Sequence, residues 1–121
     1  MLRLGTGSAV FPKVLALPPG EVGLCSVVKA ELAFGAFRSN DSRLNLAKVA
    51  SLFGQLPSLP FDDVAAEVYG KIRATLTTQG NLIGPNDLLI AAIAMANRAI
   101  LVTRNVQEFS RVTGLSVENW E

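Results

Sequence analysis

Four polar side chains are candidates for metal-ion chemistry, namely Glu31, Asp87, Asn105 and Glu108. Asp87 falls in the first turn of a predicted helix that is otherwise apolar, and Glu31 falls near the start of another. Each helix follows a strand or a loop, and such helix starts converge at the carboxyl edge of a parallel sheet. Two carboxylates that meet there repel one another and favour a cation. We therefore predict a metal site formed by Asp87 and Glu31, which Asn105 and Glu108 could extend.

The residue types that are missing narrow the chemistry. The 121 residues include no histidine and one cysteine, Cys25. This composition excludes Ser-His-Asp triads, Cys-His pairs, imidazole-ligated zinc sites and an internal disulfide. Ligation by oxygen alone favours Mg²⁺ or Mn²⁺. Carboxylates that hold such an ion activate water for attack on a phosphodiester, so the residues alone suggest a metal-dependent hydrolase.

Each candidate also has an ordinary structural explanation. A carboxylate such as Asp87 is favourable at a helix N-terminus without any chemical role. Glu31 would then be a partly exposed helix residue, and Asn105 a turn residue. Asp62 and Asp63 are interpreted as the cap and first-turn charge of a helix rather than as catalytic groups.

The composition indicates one globular domain, residues 1–121. The chain is 50% hydrophobic and 17% charged, which is enough to form a core. The net charge is only +1, and the sequence has no basic stripe of the kind that nucleic-acid-binding proteins usually show. Arg38, Arg43 and Lys48 are interpreted as solvated helix residues. No apolar run has the length of a membrane span and no signal-peptide pattern is present, so we expect a cytoplasmic protein.

Helical and strand patterns alternate along the chain. Apolar periodicity predicts the end of a helix over residues 9–17 and further helices over 28–38, 42–54, 62–79 and 85–97. Short apolar runs predict strands over residues 21–27, 99–103 and 115–117. The alternation is typical of an α/β protein with a parallel sheet and helices on both sides.

The same periodicity predicts the core. We assign Leu32, Val68, Ile93 and Val102 to it, with no chemical role. Two further sets of side chains are also expected to point inward: Phe34 and Phe37 of the 28–38 helix, and the stripe Val64, Val68, Ile72 and Leu76 of the 62–79 helix.

Four segments of the chain together resemble the PIN-domain ribonucleases of the VapC toxin type. They are SVVKAELAFGA around Glu31, PNDLLIAAIAMA around Asp87, LVTRNVQEF and GLSVENW. The resemblance implies a three-layer α/β/α PIN fold, Mg²⁺- or Mn²⁺-dependent RNA endonuclease activity, a VapB-type antitoxin partner and a homodimer. It also implies that Glu31 and Asp87 match two acids of the family, while Asn105 completes the cluster and Glu108 precedes the phenylalanine of the same motif.

The chain departs from this family at its start. The family opens with a strand that ends in an aspartate, within a Leu-Asp-Thr-Asn run, and this aspartate is a principal metal ligand. The first aspartate here is Asp41, and residues 2–8 are interpreted as the helix after that strand. We therefore expect the N-terminal strand to be missing, which would leave two neighbouring strands with unpaired edges.

Two hypotheses explain a missing strand. In the first, the start codon is assigned too far downstream, and the true protein carries the strand and its aspartate. In the second, the chain is a degenerate toxin that has lost catalysis and only binds an antitoxin.

Overall fold

The computed structural model of the chain describes residues 2–6, 16–18 and 20–119. Within these residues, parallel strands form a single sheet in the order β3-β2-β1-β4-β5. The strands are β1 (Arg3–Gly5), β2 (Val22–Cys25), β3 (Ser58–Leu59), β4 (Ile100–Val102) and β5 (Val117–Glu118). The prediction of an α/β protein with a parallel sheet is confirmed.

The helices of the described residues lie between these strands. They are α1 (Ser26–Arg38), α2 (Ser42–Gln55), α3 (Asp63–Thr78), α4 (Pro85–Ala96) and α5 (Val106–Phe109). The Asp62 carboxylate accepts the backbone N–H of Ala65 at 2.9 Å, which caps α3 as the sequence indicates. Pro85 occupies the first turn of α4, where its missing N–H costs no helical hydrogen bond.

The strand that we expected to be missing is present as β1. It lies in the centre of the sheet, where Arg3 is opposite Val22 on one side and Ile100 on the other. Leu4 is buried and belongs to the core. The prediction of a helix over residues 2–8 is therefore wrong over residues 3–5, because pairing on both sides decides the structure of so short a segment. The end of a helix predicted over residues 9–17 lies outside the described residues except for 16 and 17, which are not helical.

Helix α4 and strand β4 supply the centre of the core. Ile93, Leu101 and Val102 each have no exposed surface. A helix that is apolar on every side is stable only when other elements cover it, and α3 packs along α4 for this reason. Ile93 therefore lies in the main core as predicted, and Leu32 and Val68 are partly buried and pack against it. Val102 is fully buried as predicted, in a second, smaller cluster with Val22.

The apolar face of α1 differs from the prediction. Val28 and Ala36 are buried and Leu32 packs beside them, so the helix contacts the core through residues spaced by four. Phe34 and Phe37 lie off this stripe and are 62% and 68% exposed. The expectation that both rings point inward is wrong, because the larger side chains do not set the packing face of this helix.

The buried stripe of α3 is also shifted. Ala65, Ile72 and Leu76 are buried and Val68 is half-buried, whereas Val64 is 58% exposed. The small Ala65 occupies the position nearest the core at the start of the helix.

No helix in the described part of the chain is long and apolar enough to cross a bilayer.

Replacing Ile93 by alanine should lower the free energy of unfolding by about 3 kcal/mol, because it leaves a cavity in a fully buried position. The matched control is Val64→Ala, which should change it by less than about 0.5 kcal/mol. Urea unfolding of both variants checks this. A larger loss for Val64→Ala than for Ile93→Ala would contradict the packing described above.

Candidate active site

The candidate site is formed where α4 begins. Gly84 is the N-cap of this helix and Asp87 lies in its first turn. The Asp87 side chain is half-buried and lies close enough to Glu108 for each carboxyl group to shift the pKa of the other. Since Glu108 belongs to α5, this contact ties the start of α4 to the segment that follows β4.

Glu108 is held in place through both of its carboxyl oxygens. Oε1 accepts the backbone N–H of Gly84 at 2.8 Å. Oε2 accepts a hydrogen bond from the Asn105 side-chain amide. A Cβ atom on residue 84 would lie 3.6 Å from both Asp87 Oδ2 and Glu108 Oε1, which shows how closely the backbone approaches the two acids. Gly84 therefore orients Glu108 from the backbone.

The end of β4 positions Asn105. Thr103 is buried, and its backbone N–H donates to the Glu118 carbonyl of β5 at 3.0 Å. The Thr103 hydroxyl accepts the backbone N–H of Asn105 at 3.1 Å. This short turn after the strand directs Asn105 toward Glu108. The polar Thr103 at the end of an apolar strand thus has a structural function.

Glu31 lies next to this cluster without joining it. Its side chain is exposed on α1 and accepts a hydrogen bond from the Asn86 amide, with Oε1 and Nδ2 3.2 Å apart. It is near enough for its charge to raise the pKa of Asp87. Glu31 and Asn86 also line a groove of about 420 Å³ that extends to Phe34 and Leu89, between α1 and α4.

The two facing acids differ in their affinity for protons. Burial, the hydrogen bond with Glu108 and the charges of Glu108 and Glu31 raise the pKa of Asp87 to about 6. The Gly84 N–H, followed by the hydrogen bonds with Asp87 and Asn105 and the charge of Arg111, lowers the pKa of Glu108. Asp87 therefore gains a proton below about pH 6, and above this pH two negative carboxylates face one another.

The central strand β1 ends in a glycine at the same edge of the sheet. Gly5 is the last residue of β1 and pairs with Val102 of β4. The following Thr6 donates its N–H to the Val102 carbonyl at 3.0 Å. In sequence, this strand end reads Leu4-Gly5-Thr6-Gly7, so β1 ends in a glycine and not in the aspartate that the resemblance implies. The strand is therefore present, and it has no acidic residue at its end.

The oxygen ligands of this site are of the type that a hard divalent cation prefers, but there are too few of them. All of them are oxygens, as Mg²⁺ and Mn²⁺ prefer. Within the described residues, however, no three acidic, histidine or cysteine side chains lie close enough together to hold a metal ion. Asp87 and Glu108 form a pair, and Glu31 is engaged with Asn86. The residues here therefore do not form a complete metal site.

Three of the four predicted site residues are in contact: Asp87, Asn105 and Glu108. Glu31 is their neighbour, and the chemical role of all four stays a prediction. Sequence reasoning missed Gly84 and Asn86, although both flank Asp87 in the segment Gly84-Pro85-Asn86-Asp87. A glycine immediately before a helix that starts with proline was the available signal for a close backbone approach.

The chain matches known proteins over most of its length. Residues 6–115 match the PIN domain family. Ribonuclease VapC2 of Rickettsia felis is 38% identical over 100 residues, which are 83% of this chain and 75% of that protein. The tRNA(fMet)-specific endonuclease VapC of Shigella flexneri is 39% identical over 104 residues, which are 86% of this chain and 79% of that protein.

Solved structures agree with these relationships. VapBC2 from Rickettsia felis, crystallised with a DNA fragment from its promoter, superposes with a TM-score of 0.87 and 30% identity over 100% of both chains. DNA-bound VapBC from Salmonella typhimurium superposes with a TM-score of 0.90 and 30% identity, also over 100% of both chains. The chain therefore belongs to the PIN-domain family and, within it, to the VapC proteins.

Replacing Asp87 by asparagine should stabilise the metal-free protein at neutral pH. The pKa of Asp87 is raised from 3.8 to about 6, so the folded state binds more protons than the unfolded state between these values. The free energy of unfolding of the wild type therefore receives a contribution from Asp87 that is lost as the pH rises through this window. The neutral asparagine of the variant is not repelled by Glu108 at high pH. The free energy of unfolding of the variant should therefore exceed that of the wild type by roughly 1 kcal/mol at about pH 8, a value reduced for the solvent screening of this half-exposed group.

Urea unfolding in a chelator, at about pH 4 and about pH 8, measures this difference. Asp63→Asn in the first turn of α3 is the matched control for removing one first-turn acid. If Asp87→Asn is less stable than the wild type at the higher pH, the two facing carboxylates are not the source of strain.

Proposed function

We propose that this protein is the toxin of a toxin–antitoxin pair, an endoribonuclease that acts in the cytoplasm and is neutralised by a VapB-type antitoxin. The observation that carries the proposal is the Asp87–Glu108 carboxyl pair at the start of α4, in a chain with VapC relatives. The relatives' names support RNA as the substrate, since they include ribonuclease and tRNA(fMet)-specific endonuclease. The VapBC complexes support the antitoxin as the partner.

The proposed activity depends on Mg²⁺ or Mn²⁺. The sequence predicts Asp87 and Glu31 as the metal ligands. Because Glu108 is the acid that faces Asp87, we propose that Asp87 and Glu108 would contact the ion, whose positive charge would offset their mutual repulsion. Asn105 and the Gly84 N–H hold the Glu108 carboxylate in one orientation. Glu31 contributes negative charge from the neighbouring groove, where Asn86 fixes its side chain.

The surface beside the site supports a protein partner. The groove between α1 and α4 begins at Glu31 and Asn86 and is lined by Phe34 and Leu89. Phe37 extends this apolar surface along α1 and is 68% exposed. An apolar surface next to the acids is suited to a partner that covers the site and blocks RNA. We also propose that the protein is a homodimer, as the resemblance to the VapC toxins implies.

A second candidate function is favoured by Gly5. Because β1 ends in Gly5 and brings no carboxylate to this edge of the sheet, the chain would bind an antitoxin without cleaving RNA. Such a protein would compete with an active toxin for the same antitoxin. The two functions differ in whether RNA is cleaved, and they share the antitoxin-binding surface.

Cleavage of RNA by the purified chain with Mg²⁺ or Mn²⁺ tests the first function. The Asp87→Ala variant should lose about 100-fold or more of the cleavage rate, because Asp87 is one of the two acids that face each other. Asp63→Ala is the control, since Asp63 is a first-turn acid of α3 and should leave the rate unchanged.

The outcome separates the two functions. Cleavage that is lost only in Asp87→Ala supports the endonuclease. A wild type that does not cleave RNA but forms a complex with the VapB of the Rickettsia felis pair on size-exclusion chromatography supports the second function. Equal cleavage by wild type and Asp87→Ala contradicts the assignment of the site.

A further inference from the structure

We infer that Gly5 sets the metal affinity of this site: it leaves the Asp87–Glu108 pair one carboxylate short, so the chain binds divalent cations only weakly. The inference rests on the proposed function, since it concerns the same site. It differs from that proposal in predicting which single position limits the site, and it is tested by metal binding rather than by RNA cleavage.

The carboxyl ends of the neighbouring strands β2, β1 and β4 lie at one edge of the sheet, and they differ in the side chains that they bring to it. Strand β2 runs into α1, which carries Glu31. Strand β4 leads through Thr103 to Asn105 and to Glu108 on α5. The central strand β1 ends at Gly5 and supplies no side chain. The middle position of the carboxyl edge is therefore the one without a charge.

The pairing of β1 places position 5 next to the elements of the site. Gly5 pairs with Val102, which immediately precedes Thr103. The Thr6 N–H then donates to the Val102 carbonyl at 3.0 Å, so the backbone of β1 stays beside β4 to the end of the strand. A side chain at position 5 would stand at the same sheet edge as the turn that directs Asn105 toward Glu108.

Hydrogen-bond donors already occupy part of the carboxylate oxygens that an ion would need. Both oxygens of Glu108 accept hydrogen bonds, one from Gly84 and one from Asn105. Glu31 accepts one from Asn86. Affinity for hard cations rises with the number and charge of the oxygen ligands. Two facing acids, of which Glu108 already accepts hydrogen bonds at both oxygens, give a weak site, and an aspartate at position 5 would add a further carboxylate.

Titration of the metal-free full-length chain with Mn²⁺, followed by the EPR signal of free Mn²⁺, tests this. Gly5→Asp should bind Mn²⁺ about tenfold or more tightly than the wild type. Gly5→Asn is the matched control, because it adds a side chain of the same shape without the charge, and it should bind no more tightly than the wild type. Asp87→Asn in the Gly5→Asp background should remove the gain.

Two results would overturn the inference. One is tight, low-micromolar Mn²⁺ binding by the wild type. The other is a folded Gly5→Asp variant, checked by circular dichroism, that binds no more tightly than Gly5→Asn. If Gly5→Asp does not fold, the wild-type titration decides alone, since weak binding supports the inference and tight binding contradicts it. Failure of the proposed function is distinguishable, because it would appear as Mn²⁺-loaded Gly5→Asp that leaves RNA intact.

Discussion

The pairing of β1 with both β2 and β4 is the constraint on which the candidate site depends. Arg3 lies opposite Val22 and Ile100, and these parallel pairs bring the carboxyl ends of three strands to one edge of the sheet. Helix α1 follows β2 and carries Glu31, and α5 follows β4 and carries Glu108. Helix α4, which carries Asp87, starts beside Glu108. Without this central strand, the sheet edges of β2 and β4 would be unpaired and the acids would have no common frame.

The Glu108 carboxylate is held by one backbone group, the Gly84 N–H, and by one side chain, that of Asn105. The Gly84 N–H binds Glu108 at the point where α4 begins, so the start of one helix and the turn after β4 are fixed together. Burial and the approach of Glu108 raise the pKa of Asp87, and a group with so perturbed a proton affinity is typical of a functional site. The same proximity of two carboxylates costs stability in the absence of a cation.

Local signals in the sequence predict the helices well and β1 not at all. Asp62 and Pro85 mark helix starts, and the structure begins α3 and α4 there. Strand β1 has three residues followed by Thr6 and Gly7, so it carries no periodicity, and pairing with strands distant in sequence decides it. The contact between Asp87 and Glu108 is likewise long-range. Their residue types suggest the chemistry, whereas the backbone contact of Gly84 with Glu108 has only an indirect signal, a glycine immediately before a helix that starts with proline.

The role of Asp87 and Glu108 is tested most directly by anomalous diffraction from crystals of the full chain soaked in MnCl₂. We predict a weak, partly occupied manganese peak between the Asp87 and Glu108 carboxylates, with Gly5 at the adjacent strand end offering no ligand. A manganese ion held elsewhere, or Asp87 and Glu108 carboxylates that do not face one another, would contradict it.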